Sequence, residues 1–109
     1  MSPGTAWIFL LIAGSLEVLW ALMLQSTQGF TKLWPSVFVI FLLIASFYFL
    51  SQAVKGLPIG TAYAVWTGIG AAGTALIAIL LGKEPMSMIK IACIFLILAG
   101  VTGLKFLSK

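Results

Sequence analysis

Four apolar stretches, each of about 20 residues or more, take up almost all of the 109-residue chain, with short polar breaks between them. An α-helix rises about 1.5 Å per residue, so each stretch is long enough to cross roughly 30 Å of hydrocarbon. The expected fold is an all-α membrane protein of four transmembrane helices, at about 4–25, 34–54, 58–82 and 86–107, forming one domain over 1–109. Ser26, Thr27, Gln28, Gly29 and Thr31, closed by Lys32, make the first break. Lys55 and Gly56 make the second, and Lys83, Glu84 and Pro85 the third. Pro35 suits a first helical turn, and Glu84 before Pro85 puts a negative charge where a helix start favours one. Trp7 and Trp34 fall near helix starts, where indole rings anchor at the membrane interface. The segment before the first stretch has no lysine or arginine, and the stretch itself carries Glu17 and no evident cleavage site. It is therefore expected to be a retained helix and not a signal peptide.

Composition narrows the function. The chain is 62% hydrophobic and 7% charged, with mean hydropathy +1.23, which no soluble domain of this size could bury. Its net charge of +4 comes from six lysines and two glutamates. The lysines are scattered through loops and the tail, as solvated charges are, and form no basic cluster for nucleic acid. The single cysteine, Cys93, sits in an apolar run and reads as packing; it permits no internal disulfide. There is no histidine, no metal-ligand spacing, no phosphate loop and no nucleophile–base pair. These features predict a non-enzyme without metal or cofactor.

Glu17 is the residue that needs explaining. It lies in "GSLEVLWALML", near the middle of the first stretch. A charge at the centre of a bilayer costs at least about 2.5–3.5 kcal/mol, so an acid there is a functional candidate by default. A carboxylate that spends part of its time protonated can exchange a proton for a cation. Ala13, Gly14, Trp20 and Ala21 lie within one turn of it. The small residues leave space, and Trp20 supplies a flat wall. The bland alternative is a protonated glutamate hydrogen-bonded between helices.

The third stretch contains "GTAYAVWTGIGAAG", which sets Tyr63, Trp66 and Gly70 on one face. These aromatic rings suit either helix packing or a wall for a flat cation, and Tyr63 offers a hydroxyl to Glu17. Gly68 and Gly70 permit either a kink or close helix approach. Ser46, midway along the second stretch, either bonds back to its own helix or helps hold Glu17. In the fourth stretch Ala92, Ala99 and Gly103 form a small-residue stripe suited to helix–helix contact and dimerisation.

Four spans put Lys55, Lys105 and Lys109 on one side and Lys32, Lys83 and Lys90 on the other. Lysine bias orients membrane proteins, and this tally is even. Either the chain inserts both ways up or a weak bias chooses one. Dual insertion would let two antiparallel copies supply the inverted halves that many transporters place around a midplane site.

Together these residues resemble the small multidrug resistance family. "GSLEVLWALML", "GFTKLWPS", "ASFYFLSQA" and "LPIGTAYAVWTGIGA" look like its guanidinium-exporter subtype, and Trp20 three residues after Glu17 is the most discriminating feature. The resemblance implies an antiparallel, dual-topology homodimer in the bacterial inner membrane that exports guanidinium ion in exchange for protons. It makes Glu17 the shared proton and substrate site. Gly14, Trp20, Ser46, Tyr63 and Trp66 become the residues that line the pocket. One departure is Gln25, where the family usually carries lysine at the end of the first span. A broader exporter of quaternary ammonium cations, a proton-conducting rotor-type subunit and a non-transporting structural subunit are the rival readings.

Overall fold

The computed structural model describes residues 2–107. Lys109, counted in the lysine tally, lies outside them. The described residues form four long helices: α1 Pro3–Met23, α2 Leu33–Ala53, α3 Ile59–Leu80 and α4 Met88–Leu107. A short 3₁₀ turn, Leu24–Thr27, follows α1. All four are long and apolar enough to cross a membrane.

Local chemistry sets the ends. Ser2 caps α1 by accepting the Thr5 amide at 3.2 Å, with Pro3 in the first turn. The first break turns sharply, with Gln28, Gly29 and Phe30 all at positive φ. Thr27 holds that turn: its hydroxyl donates to the Leu24 carbonyl at 2.7 Å and accepts the Phe30 amide at 3.2 Å. The fourth helix starts later than the sequence suggests. Glu84 and Pro85 lie in the loop, and the Ser87 hydroxyl and carbonyl accept the Lys90 and Ile91 amides at 3.4 and 3.0 Å. The serine hydroxyl takes one free amide of the first turn, and Glu84 stays in the loop before it.

Helix α1 packs against both α2 and α3, whereas α2 and α3 meet each other only slightly. Among the described residues the α4 backbone lies beside α3, reaching α1 through side chains such as Lys105, and Ile94 is its one buried residue. The result is a slab of 40 × 35 × 17 Å. Its core gathers Ala6, Trp7, Leu10, Ala13, Leu50, Ala53, Leu57, Ala62, Val65 and Trp66. Trp34 is 70% exposed, as an interface anchor would be, but Trp7 is only 8% exposed. Its ring lies in the core, with the Lys105 ammonium 5.5 Å from its centroid. A nearby lysine offers the ring face a cation, and close apolar packing holds it inside.

Glycine brings the helices together. A Cβ at Gly14 of α1 would come within 2.8 Å of the Ile69 side chain on α3. One at Gly73 of α3 would reach 2.7 Å from Val18 on α1, and one at Gly68 2.6 Å from Val101 on α4. Helix α3 is a single uninterrupted α-helix through Gly68 and Gly70. In this conformation those glycines serve close approach, the second of the two readings left open above.

Candidate functional site

Glu17 sits between α1 and α3. A Cβ at Gly70 would collide with its carboxylate, so the acid lies flat against bare α3 backbone. Its Oε1 is buried and has no hydrogen-bond partner among the described residues. The Trp20 indole nitrogen, one turn along α1, is likewise buried and unpartnered among them. A carboxylate oxygen and an N–H donor one turn apart thus offer an acceptor and a donor at membrane depth.

The carboxylate faces a groove of about 390 Å³ lined by Glu17, Ala21, Thr67, Gly70, Ala71, Thr74, Ala75, Ala78 and Glu84. A second hollow of about 220 Å³ shares Ala21, Thr74, Ala78 and Glu84 with it and adds Leu22, Leu24, Gln25 and Lys83. One trough therefore runs along α1 and α3 from Glu17 to the Lys83–Glu84 loop and Gln25. Beside Glu17 its walls are mostly small, with Ala21, Gly70, Ala71, Ala75 and Ala78, and Glu84 stands at the far end.

Behind Glu17 three helices are tied together. The Trp66 indole N–H donates to the Ser46 hydroxyl at 2.9 Å, and that hydroxyl donates to the Ala13 carbonyl at 2.8 Å. In α-helical register the same carbonyl also accepts the Glu17 amide. Ser46 and Trp66 are 0% and 4% exposed. The aromatic neighbours of Trp66 are Phe47 and Tyr63, with centroids 4.9 and 5.6 Å away.

The residues expected at the site thus separate. Glu17, Trp20 and Gly70 are adjacent. Ser46 does not bond back to its own helix: it donates across to the Ala13 carbonyl of α1, at the turn before Glu17. The Trp66 nitrogen is committed to Ser46. Tyr63 is 53% exposed and makes no hydrogen bond to Glu17 among the described residues. The space expected beside Gly14 is filled by Ile69, leaving Ala21 as the small α1 residue that opens onto the groove. Ala92 and Ala99 are exposed, and a Cβ at Gly103 would meet nothing within 4 Å. Sequence reading missed Thr67, Thr74, Ala75, Ala78 and the position of Glu84. For three of them the signal was present: Thr67, Thr74 and Ala78 follow from Gly70 by steps of three and four along one face of α3, whereas Ala75 and the loop residue Glu84 do not.

Four membrane-length helices with a buried carboxylate opening on an interhelical groove define a small multi-pass membrane protein. The family model described as Small Multidrug Resistance protein matches residues 5–97, and the chain belongs to that family. A protein of Yersinia pseudotuberculosis named "Guanidinium exporter" is 52% identical over 103 residues, covering 94% of this chain and 99% of its own. One of Citrobacter freundii with the same name is 54% identical over 100 residues, covering 92% and 95%. A third, of Proteus vulgaris, is 48% identical over 103 residues, covering 94% and 99%.

Proposed function

We propose that this protein is a proton-coupled antiporter that exports guanidinium ion, and small substituted guanidinium compounds, across the bacterial inner membrane. The observation that carries the reading is the buried, unpartnered Oε1 of Glu17 in its groove. The shared name of the similar proteins supplies the substrate. Guanidinium is flat and cationic, with N–H donors in a fork, and a carboxylate accepts two of them in parallel. Proton and cation compete for the same oxygens, so occupancy by one excludes the other. An inward proton gradient then drives the cation out.

The working unit in this reading is an antiparallel homodimer with a Glu17 from each copy. Helix α4 supports it, because Ala92 and Ala99 are exposed and only Ile94 is buried there. A helix so little covered in a slab this thin fits one that packs against a second copy. Trp20, Ser46, Tyr63 and Trp66 shape and brace the site, Gly14 sets the α1–α3 spacing, and Gly68 and Gly70 are where α3 would flex as the site changes side.

The test is made on purified protein in liposomes with guanidinium on one side. Wild type is expected to carry proton-coupled guanidinium flux and Glu17→Gln to carry none. Coupled flux in Glu17→Gln would sink the reading.

A further inference from the structure

Helix hydroxyls in apolar surroundings normally satisfy themselves on the carbonyl one turn back. Ser15, Thr67 and Thr102 do so, donating to Leu11, Tyr63 and Leu98 at 2.9 Å each. Thr74 does not. Its Oγ1 is buried and has no partner among the described residues. It lines both the groove that holds Glu17 and the hollow leading to Gln25 and Glu84. It stands one turn beyond Gly70, the residue against the Glu17 carboxylate, so about 6 Å further along α3. Around it in the groove are Ala21, Ala71, Ala75 and Ala78, which offer methyl groups and no hydrogen bond.

We propose that Thr74 is a substrate-contact residue: its hydroxyl oxygen accepts an N–H from a guanidinium cation whose other edge is held by Glu17. The inference rests on the function proposed above. Glu17 and Thr74 line the same groove, with Glu17 against Gly70 and Thr74 one turn further along α3, so a small flat cation lying in it has an acceptor on either side. A hydroxyl has two lone pairs and one proton. Accepting from the cation would give that oxygen the partner that its own helix does not supply. Glu17 neutralises any cation of the right size; Thr74 favours one that carries N–H groups on the far edge.

The experiment compares Thr74→Val, which keeps the shape and removes the hydroxyl, with Thr74→Ser, which keeps the hydroxyl. Thr74→Ala is a second hydroxyl-free variant in case valine does not pack. Each is reconstituted and assayed for proton-coupled guanidinium exchange beside wild type. Loss of one hydrogen bond from a cationic donor should raise the apparent KM by about tenfold or more in the hydroxyl-free variants. Turnover at saturating guanidinium should hold, and Thr74→Ser should stay near wild type. An unchanged KM in Thr74→Val or Thr74→Ala overturns the inference. So does a Thr74→Ser that fails as they do, because packing would then be the cause. A silent wild type overturns the proposed function and this inference with it, which separates the two failures.

Discussion

Replacing Gly70 with alanine would put a methyl group where the Glu17 carboxylate now lies. Either the acid moves or α1 parts from α3. A displacement of about 1 Å at a reacting group can lower a rate about a hundredfold, and a fall of that order in guanidinium exchange is expected for Gly70→Ala. Gly60→Ala, in the first turn of the same helix, meets nothing within 4 Å and should exchange as wild type does. Comparable loss in both variants would show that α3 tolerates no added methyl and that Glu17 is not the reason. The same contrast explains what could be read from the residues alone. An acid in an oily run is expensive wherever the chain folds, so Glu17 identifies itself. A threonine in such a helix is ordinary, and its significance arises only when the structure leaves its hydroxyl without the usual carbonyl. Glu84 was legible as a loop acid, but not as the far end of a groove that begins at Glu17.

At the scale of elements, the apolar runs set the helices within about two residues, because hydrocarbon length and turn chemistry act locally. What the runs could not reveal was which faces meet. The four helices are apolar all round, so no polar stripe marks an outside, and the pairing is decided by small residues and by a few polar atoms. The relay from Trp66 through Ser46 to Ala13 is the clearest such device. It joins α3, α2 and α1 at the turn before Glu17. Ser46→Ala would strand the Trp66 N–H in an apolar interior, at a cost of about 1–3 kcal/mol. Thermal unfolding in mild detergent should register that loss. Trp66→Phe in the same background removes the stranded donor as well, so the double variant should lose less than the two single variants added together. Strict additivity would mean that the two groups do not act as a pair.

For the whole molecule, a slab 17 Å thick whose fourth helix lies mainly against α3 suits the antiparallel pair proposed above. The even lysine tally suits a chain that inserts both ways up, and the proposed antiparallel pair would bring two Glu17 carboxylates to one site. That pairing has a thermodynamic signature. Protonation removes the negative charge that holds the cation, so guanidinium binding should be strong at high pH and weaken as pH falls. Once the free site is protonated, each proton displaced raises the apparent Kd about tenfold per pH unit. A lone Glu17 releases one proton per cation and gives a limiting slope of one. Two Glu17 groups sharing the cation release two, and the acid limb steepens towards a slope of two. Equilibrium titrations with guanidinium across a pH series, read through the intrinsic tryptophan fluorescence, measure that slope. A limb that never exceeds one would remove the second carboxylate from the site. A Kd independent of pH would remove proton competition altogether, and with it the means by which a proton gradient could drive export.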